Sequence, residues 1–116
     1  MALYNDLPIY KESYKLLLAL FTLTRNFNRE YKYTIGQSMK QNGMQMVQYI
    51  FKANSARDKT EPLLSLSDCI EILKLELRLC VDMRLITPTQ QANVWQSIDS
   101  ISRQLAGWKK AFISNG

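Results

Sequence analysis

The segment Leu64–Leu85, LSLSDCIEILKLELRLCVDMRL, carries apolar residues on two opposite sides of a helical wheel. Leu66, Cys69, Ile70, Leu73, Leu77 and Cys80 line one side at helical spacing, and Ile72, Leu75, Leu79 and Met83 line the other. At ~100° per residue these are separate faces of one α-helix. A helix apolar on both sides is buried on both sides, so this one belongs inside a bundle and carries a second surface for further packing. Lys74 and Arg78 share the ridge between the two faces, with Asp82 one turn beyond Arg78.

Working outward, Thr87, Pro88 and Gln90 give the order of N-cap, first-turn proline and reciprocal Gln, which predicts a helix over about 88–112. Its apolar positions Val94, Ile98, Ile101, Leu105, Trp108 and Phe112 alternate by three and four, a narrow bundle seam. On the other flank, NSARDKTEP (residues 54–62) reads as the one long loop. Before it, Thr34 and Gln37 have capping-box spacing and predict a helix over about 34–55. Ile35, Met39, Gly43, Met46, Ile50 and Ala53 form its main face, while Met44 and Phe51 project from an otherwise polar side. Gly36 and Gly43 each lower helix stability by ~1 kcal/mol relative to Ala, which suggests close approach of another backbone. The first helix is expected over about 8–28, with one stripe of Tyr10, Tyr14, Leu17 and Phe21 and another of Leu16, Leu20, Leu23 and Phe27.

Four such helices with short connections make an all-α, antiparallel up-down-up-down bundle, one domain over residues 1–116. The expected core contains Leu17, Phe21, Met46, Ile50, Leu73, Leu77, Ile101 and Leu105. Met44, Phe51, Ile72, Leu75, Leu79 and Met83 exceed what one bundle covers, and this makes them the expected oligomer interface.

Between Arg25 and Lys59 the chain holds seven cations and two anions, which is the whole net charge of +5, since the remainder balances. A confined basic region points to an acidic partner more specifically than a uniformly basic surface does. No apolar run approaches the ~20 residues of a membrane span, and MALYNDLPIYKES lacks the apolar stretch of a signal peptide, so a cytoplasmic protein without membrane contact is expected. Cys69 and Cys80 stand eleven apart, ~16 Å along one helix, too far to bridge. With no histidine, no phosphate-cradling glycine motif and acids mostly within a turn of a base, no catalytic residue, metal site or cofactor is expected.

The turn EYKYTIGQ (Glu30–Gln37), the start LPIYKESYKLLL and the blocks ANSARD, LRLCVDMRLI and ISRQLAGWKK resemble the Avd family, the accessory variability determinants of diversity-generating retroelements. The likeness runs from Leu7 to Lys110. A broader relative is the four-helix-bundle protein encoded within ribosomal RNA intervening sequences, which usually closes its second helix with an Asn-x-x-Glu-Gly type ending. Here Asn54, Ser55, Ala56, Arg57 and Asp58 stand at that place, which favours Avd. The resemblance implies a non-enzymatic accessory protein that forms a homopentameric ring, binds the element's reverse transcriptase and associates with template RNA. The alternative is a structural oligomer of the intervening-sequence type with no polymerase role.

Under the Avd reading, Arg25, Arg29, Lys32, Lys40, Arg57 and Lys59 are the candidate nucleic-acid-binding cations, the alternative being an ordinary solvated face. Tyr31, Lys32 and Tyr33 suit a stacking platform for single-stranded RNA, although Tyr33, just ahead of a helix, also reads as a hydrophobic anchor. Arg78 leads the polymerase-binding candidates, followed by Lys74 and Arg84. Arg84 falls on the core line near the end of its helix, a place suited to capping carbonyls, meeting a neighbouring subunit or facing the polymerase.

Overall fold

Two of the long helices open on a proline, where the missing N–H has no intrahelical acceptor to lose: α1 (Pro8–Thr24) and α5 (Pro88–Asn115). The computed structural model describes residues 3–115, with side chains as far as residue 113. A 3-10 turn, Tyr4–Asp6, precedes α1, and a single turn, α2 (Arg29–Lys32), follows it. Then come α3 (Ile35–Ser55) and α4 (Thr60–Asp82), and no strand is present among the described residues. Both α1 and α4 pack against α3 and α5, so α1 and α4 occupy opposite corners. The bundle measures 46 × 21 × 21 Å. The 28 residues of α5, at ~1.5 Å each, account for most of its length.

The core follows the apolar spacing of α3, α4 and α5. Met46, Ile50, Leu73, Leu77, Ile101 and Leu105 are all buried, as are Met39, Leu66 and Ile98. In α1 the expected core is out of phase. Phe21 is 45% exposed and Leu17 only half-buried, and the buried line is Ile9, Ser13, Leu16, Leu20 and Thr24. Two small hydroxyl residues sit on the inward line, and the Thr24 hydroxyl donates to the Leu20 carbonyl at 2.8 Å. Counting large apolar residues therefore rotates the apparent face toward Phe21. Gly43 helps fix the true phase: a β-carbon there would lie 2.9 Å from Leu17 Cδ1 and 3.0 Å from Leu20 Cδ1. The close approach at Gly43 is by leucine side chains, with Leu17 Cα 4.0 Å away, whereas at Gly36 it is by backbone, the Tyr31 carbonyl oxygen at 3.2 Å from such a β-carbon.

Polar contacts also join α3 to α4: Cys69 Sγ donates to Gln45 Oε1 at 3.7 Å, and a second bond is shorter. Glu76, only 7% exposed, accepts a 2.7 Å hydrogen bond from Asn42 Nδ2.

Several helix ends differ from the sequence expectation. α1 stops at Thr24 rather than near residue 28, because Asn28 caps a separate turn, its side chain accepting from the Tyr31 N–H. Thr34 does not form the expected capping box. Its hydroxyl instead donates to the Glu30 carbonyl at 2.7 Å, closing the exposed end of α2. α4 starts at Thr60, four residues earlier than expected, so the long loop shrinks to residues 56–59. Pro62 lies in the first turn of α4, where proline is tolerated, and the Asp58 carboxylate accepts the Thr60 N–H at 3.0 Å. That bond holds the Asp58 carboxyl below its ordinary pKa. The start of α5 is as expected: Gln90 N–H donates to Thr87 Oγ1 at 3.1 Å, and Thr87 N–H to Gln90 Oε1 at 2.9 Å.

Leu77, with no exposed surface, lies on the inward line of α4. Replacing it with alanine should lower unfolding free energy by about 2–5 kcal/mol in urea titrations. A loss under ~1 kcal/mol would contradict this burial.

Candidate functional site

Among the described residues, α4 exposes more large apolar side chains than any other helix, and they lie on its outward face. Ile72, Leu75, Leu79 and Met83 are exposed on it, Leu75 to 58%, and Leu64 extends the row toward the N-terminal end. The single chain thus buries one of α4's two apolar faces, not both. Met44 and Phe51 are exposed too, but they lie on α3's side toward α1, at a different flank of the bundle. The six expected interface residues therefore form two patches. Beside Phe51 a chain of rings continues along the flank. Tyr4 meets Phe51 edge-on at 5.0 Å and Tyr10 edge-on at 5.3 Å, and Tyr10 stacks on Tyr14 at 6.4 Å.

The basic segment is likewise divided. Arg25 and Arg29 are exposed and Lys32 half-buried around the α1–α3 connection, whereas exposed Arg57 and half-buried Lys59 lie beyond the other end of α3. The 21 residues of α3, at ~1.5 Å each, separate these ends by ~30 Å. Lys59 has a local role: its ammonium donates to the carbonyls of Ala53 at 2.6 Å and Ala56 at 2.8 Å, capping the negative end of α3. Lys40 stands apart from both ends, with Nζ 5.3 Å from the centre of the Phe21 ring. It belongs to a shallow groove that also includes Tyr33, Gln37, Gln41, Met44 and Gln48. Of the two readings of Tyr33, the hydrophobic anchor is not realised, since its ring is 62% exposed and Tyr31 packs against the core instead.

On α4, Lys74 is engaged twice, 3.1 Å from Glu71 Oε2 and 5.9 Å from the Trp95 ring centre. Arg78 is more available, its side chain 80% exposed and its one ion pair, to Asp82, a long 4.0 Å. Arg84 lies beyond the helix rather than on its core line. Its φ of 61° is left-handed, and it occupies the position after the C-cap of α4. The Arg84 N–H donates to the Val81 carbonyl at 3.0 Å and the Leu85 N–H to the Cys80 carbonyl at 2.8 Å, the bond pair of a Schellman ending that usually takes glycine. Asn26 and Phe27 share a groove with Leu85 and Gln90, so the turn bearing Arg84 lies at the same bundle end as Arg25 and Arg29.

A family model described as bAvd-like matches residues 7–112, spanning all four long helices. The chain belongs to the bAvd-like family. No curated protein matches it.

Two features of this bAvd-like chain have no signature in the sequence. Glu76 reads there as one more solvated acid, because its partner Asn42 is 34 positions away and leaves no local signal. Trp95 sits off the α5 seam, 37% exposed, where only the fold brings Lys74 over it. Cys69 and Cys80 are free, buried thiols, unbridged as their spacing requires. Burial, helped by the Glu76 carboxylate, pushes the Cys80 thiol up to about 11, and burial followed by Asp68 and Glu76 raises that of Cys69. No cluster of metal-ligating side chains exists among the described residues, and none of their helices is long and apolar enough to cross a membrane.

The left-handed backbone at Arg84 strains any residue with a β-carbon. Arg84→Gly should raise unfolding free energy by about 1 kcal/mol in denaturant titrations while removing one cation from this end. A fall in stability would show that the arginine side chain supports the turn.

Proposed function

We propose that this chain is a non-enzymatic accessory subunit of a diversity-generating retroelement, acting in the cytoplasm. Its four long helices alternate up and down, and it assembles as a homopentameric ring. The ring binds the element's reverse transcriptase and its template RNA through basic surfaces. The observation that carries this reading is the bAvd-like family match over residues 7–112.

Physical features of the chain support the assembly and binding parts of this reading. The exposed row Ile72, Leu75, Leu79 and Met83 is an apolar surface of the kind that subunit contacts cover. A second patch on a different flank, which includes Phe51, suits head-to-tail contact, the kind that closes rings. Five chains of +5 each carry +25 (5 × 5), which attracts RNA over a Debye length of ~8 Å at physiological salt. Arg25, Arg29, Lys32, Lys40 and Arg57 are the RNA-facing candidates, while Lys59 acts first as a helix cap. Arg78 is the leading polymerase contact, able to make bidentate bonds from an exposed ridge, with Lys74 and Arg84 beside it in the assignment. Arginine at the strained position 84 is consistent with a use for its cation.

Light scattering at micromolar concentration should report a closed oligomer, and Leu75→Glu should shift it toward monomer by placing an unpaired charge in the contact. A wild-type monomer would refute assembly. RNA titrations on the intact oligomer should weaken steeply as salt rises and with charge reversal at Arg25 or Arg29. Salt-independent or absent binding would leave only a structural oligomer. In pull-downs with the cognate reverse transcriptase, Arg78→Ala should lose capture while keeping the oligomer. Undiminished capture by that variant would remove Arg78 from the contact.

A further inference from the structure

We infer that the shallow groove between α1 and α3 is a binding site for unpaired RNA bases, so that RNA is held there by stacking and amide contacts as well as by phosphate charge. This rests on the RNA-binding reading above and gives it a location.

The groove has the chemistry of a base-binding surface. Tyr33 is 62% exposed with no ring contact among the described residues, leaving its face open for a base. Gln37, Gln41 and Gln48 are exposed along the same groove and make no hydrogen bond among the described residues, so their amides are available to donate and accept at base edges. Lys40, held over the Phe21 ring at 5.3 Å, places a fixed cation among them for a phosphate. Charge complementarity is one-sided, since the 21 residues of α3 contain no Asp or Glu. Arg29 and Lys32 precede Tyr33 in the chain and extend the cationic track beyond the groove.

A second copy of the chain fits the groove less well. Docking the apolar row Ile72, Leu75, Leu79 and Met83 there would cover three glutamine amides with side chains that offer no donor or acceptor, and buried unpaired amides are costly. RNA supplies both kinds of partner at every nucleotide. Met44 therefore belongs to the groove, whereas Phe51, tied edge-on to Tyr4, stays with the subunit contact.

The test uses the full-length oligomer and a 20-nucleotide RNA of mixed sequence, offered single-stranded and as a duplex across a salt series. Single-stranded RNA should bind about ten-fold or more tightly than duplex. Tyr33→Ala, and separately Gln37→Ala with Gln41→Ala, should each weaken single-strand binding about ten-fold at every salt concentration, with the salt slope and oligomer mass unchanged. Arg29→Ala should instead make the salt dependence shallower, by ~0.7 in slope for each phosphate left without its cation. Equal affinity for duplex, or groove variants that bind as wild type, would overturn the groove assignment while leaving RNA binding at the basic ends intact. Groove variants that lose oligomer mass but keep their RNA affinity would give the groove to a second copy. Absence of RNA binding by the wild type at low salt would overturn the RNA reading itself.

Discussion

A helix in a four-helix bundle has one inward side, and α4 carries enough leucine and isoleucine for two. Leu66, Leu73 and Leu77 take the inward side with no exposed surface, which sends Ile72, Leu75 and Leu79 outward on the same rigid rod. No rotation of α4 relieves this, because turning one row in turns the other out. The fold of the single chain therefore fixes the position of its own unpartnered surface. That surface lies at the corner opposite α1, so a neighbour that covers it meets α4 first and need not disturb the α1–α3 flank.

The parts legible in the sequence were those governed by nearby residues or by large apolar side chains in strict period. Thr87, Pro88 and Gln90 announced α5 because their reciprocal bonds close within four residues. The same pattern failed at Thr34, where a competing acceptor, the Glu30 carbonyl at the end of a one-turn helix, took the hydroxyl. Phe21 misled because hydrophobicity alone does not reveal that Ser13 and Thr24 sit inward, their small side chains permitting close helix packing. Pro62 read as a loop end, since a first-turn proline and a loop proline look alike until the Asp58 bond to Thr60 is seen.

Charge was legible as a total and misleading as a place. A surplus confined to one stretch of sequence became two groups ~30 Å apart once α3 was drawn out as a straight rod. One of its cations, Lys59, turned inward to the end of α3, and Arg84, from another part of the chain, joined the end that holds Arg25. Between those ends lie glutamine amides and Lys40 of α3, with the open Tyr33 ring just ahead of the helix, a surface whose character comes from the absence of acid rather than from an excess of base.

The Asn42–Glu76 bond has a consequence for alignment. Hydrophobicity alone specifies the α3–α4 register weakly, because sliding one helix by a turn, ~5.4 Å, would still set apolar side chains against apolar side chains. The same slide would leave the Glu76 carboxylate among them without its donor, a loss that no repacking of hydrocarbon recovers. With the longer Cys69–Gln45 contact across the same two helices, the carboxamide and carboxylate thus act as a registration pin. Through it the length offset between α3 and α4, and with it the height at which the outward row of α4 is displayed, is set to one value.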